Sequence, residues 1–452
     1  MDLNSKKVLV IGSGISGIAA VKLLSNEGAD IILQDANDSL SKQDIKDKLP
    51  KNLMIQIVVG ELPRELLKEI GLVVLSPGVP TDLPYIIEMK NTGIPIWGEI
   101  ELAYQYSKGK MAAITGTNGK TTTTALVGEI MKNYYVSVYV VGNIGIPYTD
   151  MVLNTKGSTI TVAEMSSFQL ETVHEFRPEV SAILNITPDH LNRHHTMEKY
   201  IEAKKRIAMN QGIHDTCVLN YEDPILRKMA EDLRPKVFFF SSKHELEEGI
   251  FLDKEGNFIY RENKKEEMVC NIKDLKLLGM HNYENVMAAI AISAHIGVPM
   301  EAIREAVMKF TSVEHRIEYV DEIDGVIYYN DSKGTNPDAA IKGIQAMIAP
   351  TILIGGGYDK GSDYKEWIDS FDGKVKYLVL LGATREKIAK QAKECGFENI
   401  ILVDTLEEAV KIAHDKATPG DAVLLSPACA SWGMFKNYEE RGRQFKKYVK
   451  QL

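Results

Sequence analysis

Short apolar, β-branched runs alternate with longer stretches of helical periodicity along almost the whole chain. The first series predicts strands near Val8 to Ile11, Asp30 to Gln34, Ile55 to Val59 and Leu72 to Leu75. A second series, from Trp97 to Phe310, predicts strands at Met111 to Thr115, Val136 to Val141, Thr159 to Glu164 and Val180 to Ile186. It continues through a polar, hairpin-like stretch, Phe238 to Cys270, into helices at Tyr283 to Ile296 and Glu301 to Phe310. A third series predicts strands near Val326 to Tyr329, Thr351 to Ile354, Lys376 to Leu381, Ile400 to Val403 and Ala422 to Leu425, closed by a helix from Met434 to Val449. Strands that alternate with amphipathic helices must bury both sheet faces, which implies parallel sheets wound with helices.

A chain of 452 residues with 44% apolar and 25% charged side chains can fill several cores. Three α/β domains are expected, over residues 1–96, 97–312 and 313–452, with the polar stretch Thr311 to Arg316 as linker and hinge. The net charge of −9 and the lack of a Lys/Arg stripe argue against a nucleic-acid partner. Cys217, Cys270, Cys395 and Cys429 are far apart and too few to staple a secreted protein of this size, so they read as reduced thiols. Met1 leads almost directly into a strand at Lys7, which leaves no room for a signal peptide, and no apolar run reaches membrane-spanning length. A cytoplasmic monomer, not inserted in a membrane, is the expectation.

The richest motif is Ala113-Ile-Thr-Gly-Thr-Asn-Gly-Lys-Thr-Thr122, a glycine-rich turn between a strand and a helix-forming run, Thr121 to Tyr134. Backbone N–H groups of Gly116, Thr117, Asn118 and Gly119 can converge on phosphate there, Lys120 neutralises it, and the Thr121 and Thr122 hydroxyls lie beside it, with Thr121 able to reach Mg²⁺. ATP is the implied ligand, and the central domain is P-loop ATPase-like. Strict P-loop spacing asks for glycine where Ile114 stands, and the extra glycine is Gly116. Gly12-Ser13-Gly14-Ile15-Ser16-Gly17 follows the first strand, and Asp35 ends the next, a dinucleotide fingerprint whose turn can hold any diphosphate. The N-terminal domain is therefore Rossmann-like, as is the C-terminal one by its pattern. Ser76-Pro77-Gly78 ends the fourth strand on the same edge and reads equally as part of a nucleotide pocket or as a plain turn. Glu164 closes a strand beside the phosphate loop, a position suited to Mg²⁺, and another strand runs into Asn185-Ile-Thr-Pro-Asp-His190. By residue type alone His190 is a structural histidine or a site residue, and Lys204 in Tyr200-Ile-Glu-Ala-Lys-Lys-Arg206 belongs to a solvated basic helix face.

Taken in order, Gly116 to Thr122, Gly142-Asn143-Ile144-Gly145, Glu164 to Leu170, Asp189-His190, His281 to Asn285, His315-Arg316, Asn330 to Asn336 and Ser426-Pro-Ala-Cys-Ala-Ser431 resemble the ATP-dependent Mur ligases across all three domains. Within that family the G-x-G-x-x-G opening, S-S-F-Q-L-E, N-D-S-K-x-T-N and S-P-A-C-A-S are most similar to members that add D-glutamate to UDP-N-acetylmuramoyl-L-alanine in peptidoglycan synthesis. The resemblance implies an acyl-phosphate mechanism that yields ADP, phosphate and an amide. It places Asn282, Asn285, Arg316, Asp331 and Lys333 at ATP, and two Mg²⁺ ions at Thr121, Glu164, His190 and an N-carboxylated Lys204, with Lys205 one position away. It gives Lys120, His190 and Lys204 catalytic roles. Ser13, Gly14, Ile15, Ser16, Asp35, Ser76, Gly78, Asn143 and His190 would hold the UDP precursor, and Thr335, Lys360, Ser431 and Tyr438 would hold D-glutamate. Trp432 and Tyr438 stand where other apolar residues are common around the amino-acid site.

Three other readings compete. A ligase that adds another amino acid or acts on a folate is disfavoured because the D-N-P-R type signature of the diaminopimelate- and lysine-adding relatives is absent; the region reads Gly355-Gly-Gly-Tyr-Asp-Lys-Gly361. An NAD-dependent oxidoreductase would explain the opening fingerprint, and a non-catalytic nucleotide switch would explain the phosphate loop.

Overall fold

The computed structural model describes residues 7–452 apart from 52 and 312, so Ser312 of the predicted linker and the segment from Met1 to the first strand lie outside the described residues. The first sheet contains β1 (Lys7–Ile11), β2 (Asp30–Asp35), β3 (Gln56–Val59), β4 (Ile70–Leu75) and β5 (Ile96–Gly98), all parallel in the order β3-β2-β1-β4-β5. The strand order reverses between β1 and β4, where an open α/β sheet leaves a crevice at its carboxyl edge. Helix Ile15–Asn26 begins directly at that edge. A Cβ on Gly17 would sit 1.8 Å from the Gly12 carbonyl oxygen, so this turn closes only on glycine.

The second sheet has nine strands: β6 (Lys110–Thr115), β7 (Val138–Gly142), β8 (Ile160–Glu164), β9 (Val180–Ile183), β10 (Thr216–Asn220), β11 (Lys236–Ser241), β12 (Gly249–Leu252), β13 (Asn257–Glu262) and β14 (Lys265–Asn271). Their order is β14-β13-β12-β11-β10-β9-β6-β8-β7, and β6 lies parallel between β9 and β8. Its neighbours therefore deliver their carboxyl ends to the same edge as the phosphate loop. The third sheet, in the order β15-β16-β20-β17-β18-β19, contains β15 (Glu318–Ile323), β16 (Val326–Asn330), β17 (Thr351–Gly355), β18 (Val375–Leu380), β19 (Ile400–Leu402) and β20 (Ala422–Leu425), with β15 antiparallel to the rest.

Three differences from the periodicity reading stand out. The predicted hairpin region opens with β11, which pairs in parallel with β10 and β12; only β12, β13 and β14 form an antiparallel meander. The strands β5, β10 and β15 carry no separate sequence prediction; β5 has only three residues, and in β15 half of the six residues are acidic, without a two-residue period. The last helix starts at Tyr438 rather than Met434, because the Asn437 side chain accepts the Glu440 N–H and caps it there. Among the described residues no helix is long and apolar enough to cross a membrane.

The chain divides into two compact units, residues 1–271 with Glu284–Val307, and Ile272–Tyr283 with Met308–Leu452. In the first unit a single apolar cluster runs from Val8 and Val74 through Trp97 and Ile100 to Ala113, Phe176 and Tyr200, so the first two sheets share a core. Two buried glutamates of helix Glu99–Tyr104 tie this junction. Glu101, fully buried, accepts backbone N–H groups from His174 (2.8 Å), Glu175 (2.9 Å) and Phe176 (3.2 Å). Glu99 accepts the Thr149 N–H (2.7 Å) and hydroxyl (2.9 Å), and burial raises its carboxyl pKa. Replacing Glu101 by Ala strands three donors at once, so Glu101→Ala is expected to lose about 3 kcal/mol or more of stability, read as a lowered denaturation midpoint; an unchanged midpoint would refute this account.

Candidate active site

The loop after β6 is shaped by glycines with left-handed backbone. Gly119 has φ +86° and caps helix Lys120–Tyr134, and a Cβ there would meet Asn285 Oδ1 at 2.2 Å. Asn285 in turn accepts from the Thr123 hydroxyl at 3.3 Å, which binds helix Met280–Ile296 to the loop. The outer wall comes from the segment after β9. Asn185 accepts the Thr117 N–H on its backbone oxygen (2.9 Å) and the Asn118 N–H on its side chain (2.8 Å), and its amide donates to Asn118 O (3.1 Å). Thr117 Oγ1 meets the Tyr200 hydroxyl at 3.0 Å. The helix N-terminus and these fixed amides form an anion cradle.

Lys120 Nζ folds back onto the carbonyl oxygens of Gly116 and Thr117, each at 2.9 Å. Lys204 Nζ donates to the same Gly116 oxygen at 2.8 Å. Helix Met197–Lys205 places Lys204 inward, 1% exposed and with its ammonium 4.8 Å from the Tyr200 ring centroid. Lys205, one position on, instead pairs with Asp232 at 3.5 Å. Burial first, then repulsion from Lys120, lowers the Lys204 pKa to about 7, and Asp189 opposes the shift. The neutral amine is thus populated near neutral pH.

Glu164 ends β8 in register with Ile114 on one side and Gly142 on the other. It is 1% exposed; Oε1 accepts the Asn143 side-chain amide at 2.7 Å, and Oε2 is buried without a hydrogen-bond partner. An orphaned carboxylate oxygen at this edge is costly unless something cationic meets it. His190 has φ +51°, precedes the short helix Leu191–His194, and is half-exposed beside Asp189 (3.4 Å) and the Phe168 ring (5.0 Å between centroids). Thr121 is partly buried at the first turn of its helix. Among the described residues no three His, Cys, Asp or Glu side chains group as a metal cluster.

On the first sheet, Asp35 is engaged internally. Its Oδ2 accepts the Ser13 N–H (2.8 Å) and hydroxyl (2.5 Å), and Oδ1 accepts the Asn37 N–H. The Ser13 hydroxyl bond and the two backbone N–H groups, against the opposing effect of burial, hold its carboxyl below the usual range. Ser76 donates to Gly12 O at 3.2 Å, so the two predicted precursor loops touch. Gly14 and Ile15 are exposed, Ser16 is partly so, and a Cβ on Gly78 would meet nothing within 4 Å. The edge stays open where a diphosphate would enter.

In the second unit, adjacent β16 and β20 bring Asn330 opposite Leu425, which aligns the N-D-S-K and S-P-A-C-A-S loops. Asp331 accepts the Ser426 hydroxyl at 2.7 Å, and burial pushes its carboxyl up to about 7. Arg441, unanticipated by the sequence reading, is 2% exposed and donates to Ser332 Oγ (3.0 Å), Ser332 O (2.8 Å) and Cys429 O (3.1 Å). Asn282 is buried and donates to Leu278 O at 2.8 Å, and Arg316 keeps a buried Nε without an acceptor. Lys333 lies 5.4 Å from the Tyr438 ring centroid, and Thr335 donates its N–H to Lys333 O. Lys360 rests 4.7 Å from the centroid of the half-exposed Trp432, next to buried Ser431. Of the residues predicted for the amino acid, Lys360 lies against Trp432, the sequence neighbour of Ser431, while Thr335 and Tyr438 adjoin Lys333, which is predicted for ATP.

Sequence profiles match this organisation: a MurD-like N-terminal domain of Mur ligases over residues 6–98, the Mur ligase middle domain over 114–293, and the Mur ligase glutamate ligase domain over 315–429. The chain belongs to the Mur ligase family of ATP-dependent ligases. It is 62% identical to the UDP-N-acetylmuramoylalanine–D-glutamate ligase of Lachnoclostridium phytofermentans, over 100% of this chain and 99% of that one. It is 49% identical to the enzyme of the same name from Clostridioides difficile, over 100% of both. Among solved structures, the UDP-N-acetylmuramate-alanine ligase MurC of Thermotoga maritima superposes with a TM-score of 0.59 at 20% identity, covering 99% of each chain. MurF of the same organism, in complex with ADP, gives 0.58 at 20% identity, covering 93% of this chain and 95% of that one. These two likenesses show the shared fold.

The Asp331 carboxyl generates a pH prediction. Its folded pKa lies above the unfolded value, so its contribution to stability is fully present below about 3.8 and is lost as pH rises through about 7. Asp331→Asn removes the buried charge and should raise the melting temperature by about a few degrees at pH 8, with a smaller change at pH 5. Equal shifts at both pH values would refute the assignment.

Proposed function

We propose that this chain joins D-glutamate to UDP-N-acetylmuramoyl-L-alanine, with conversion of ATP to ADP and phosphate, as a step of peptidoglycan precursor synthesis. What carries this reading is identity along the whole chain to relatives named for that reaction. The cradle around Gly116 to Thr122 supports it. A free carboxylate is a poor acylating group because oxide is a poor leaving group. Here the alanine carboxylate oxygen bonds to the γ-phosphorus while the bond to ADP breaks. The D-glutamate amine then bonds to the acyl carbon, phosphate leaves, and the amine gives up its proton.

The residues divide the work by charge. Lys120 leaves its loop carbonyls for the triphosphate, and the amides of Gly116 to Thr122 orient it. Asn282, Asn285, Arg316, Asp331 and Lys333 are assigned to the nucleotide. Ser13 to Ser16, Asp35, Ser76 and Gly78 hold the uridine diphosphate, and Asn143 with His190 holds the muramoyl-alanine end. Thr335, Lys360, Ser431 and Tyr438 hold D-glutamate, whose two carboxylates need fixed cations and donors. Mg²⁺, when bound, offsets repulsion between the carboxylate and the triphosphate. Thr121, the unpartnered Oε2 of Glu164, His190 and Lys204 are the side chains to hold it. Lys204 fits once its neutral amine has bonded to the carbon of CO₂ and lost a proton, which turns a buried cation into a carboxylate-like anion.

Phosphate release with ATP, Mg²⁺ and UDP-N-acetylmuramoyl-L-alanine should require D-glutamate; equal turnover with lysine or L-glutamate would overturn the substrate assignment. Lys120→Ala should lower turnover by about 10²-fold or more while leaving the fold intact. Enzyme prepared without dissolved CO₂ should lose activity and regain it on addition of bicarbonate. Isotopically labelled bicarbonate should give a carbamate NMR signal that Lys204→Ala lacks.

A further inference from the structure

Between the Ser76 to Gly78 turn of the first sheet and the His190 segment of the second stands one arginine. Arg193 Nη2 donates to the backbone oxygen of Val79 at 2.9 Å and to Glu171 Oε2 at 2.7 Å. The side chains of both charged residues are mostly buried, 13% and 15% exposed. Glu171 also faces His194 Nδ1 with Oε1 at 3.3 Å, and its Oε2 accepts the Thr81 hydroxyl at 3.4 Å. The Val79 end is tied into the precursor loop, because Val79 donates its N–H to Ser76 O, and Ser76 donates its own to Ile11 O at the end of β1. The other end is tied to the phosphate side. Arg193 donates its backbone N–H to His190 O, and its guanidinium lies 5.0 Å from the Phe168 centroid, the ring that flanks His190.

Helix Leu191–His194 has only four residues, flanked by His190 at φ +51° and His195 at φ +67°. So short a helix between two left-handed residues does not hold its own geometry; its neighbours must. Behind the arginine the two segments close on a gap of about 10 Å³ lined by Ser76, Val79, Thr81, Phe168, Gln169 and Arg193. That is at the lower limit for one water molecule. Packing this tight passes a shift of one wall to the other.

We propose that Arg193 is a positioning residue that couples occupation of the Ser76 to Gly78 loop by the UDP precursor to alignment of His190 with the nucleotide loop. The proposal rests on the precursor and nucleotide sites assigned under the proposed function. A diphosphate that fixes the Ser76 turn fixes the Val79 carbonyl, and through Nη2 it fixes the helix that carries His190. A lysine keeps the charge but has no planar fork to hold a carbonyl and a carboxylate while lying against an aromatic face.

The readout is linkage. In the wild-type protein, precursor affinity measured by calorimetry should tighten about tenfold when Mg²⁺ and a non-hydrolysable ATP analogue are present, and the analogue's affinity should gain equally from the precursor. In Arg193→Lys that factor should fall to about one, while the analogue alone binds within about twofold of wild type. The KM for precursor should rise and kcat should fall, and the KM for ATP measured at saturating precursor should rise with them. Thr81→Val, which removes only the weaker contact to Glu171, should lower the linkage in part, and it provides a second variant if Arg193→Lys melts early. Wild-type linkage in both variants, or no linkage in the wild-type protein, would overturn the proposal. Failure of the wild-type protein to bind the UDP precursor at all would instead defeat the substrate assignment itself, a separate result.

Discussion

Two ammonium groups converge on one carbonyl oxygen, that of Gly116, and the phosphate site depends on how that crowding is relieved. Repulsion from Lys120 adds to the cost of burying the Lys204 charge. Lys204 is buried besides, so the site holds positive potential in search of an anion. The cradle of backbone amides around Lys120 adds partial charge of the same sign. A triphosphate answers both, and carboxylation of Lys204 would remove one of the cations and supply an oxygen donor. Under the proposed function, nucleotide binding and carboxylation of Lys204 would be two answers to one electrostatic constraint.

That constraint is delivered by topology. The phosphate loop ends β6, Glu164 ends β8, and the Asn185 to His190 segment follows β9. Parallel pairing with β6 in the middle sets all three at one edge. The same device operates in the third sheet, where adjacent β16 and β20 bring Asp331 to Ser426 across 95 residues of chain. In each case residue chemistry is simple and sheet order makes the constellation.

Much of this was legible before any coordinates. The turn from Gly116 to Thr122 carries its own conformation in two glycines and a helix former, and strands such as β1, β4 and β6 are apolar runs bounded by turns. Members of the third sheet were readable for the same reason. The strand β15 was not, because this edge strand has half acidic residues and no two-residue alternation. The buried charges were equally hidden. Glu101, Arg193 and Arg441 look like ordinary surface residues in sequence, since their partners are backbone groups supplied by distant segments. Family resemblance pointed to Lys204 although its helix reads as solvated, and the structure buries Lys204 while leaving Lys205 partly exposed.

Trp432 has a bearing on how the last reactant arrives. Lys360 is exposed and lies on its ring, and among the described residues no carboxylate pairs with it, so a π-face orients the cation without neutralising it. An incoming dianion need not break an ion pair to reach it; the lysine has only to swing off an apolar plate. Under the proposed assignment, the resting position of this one side chain would contribute to discrimination between acceptors.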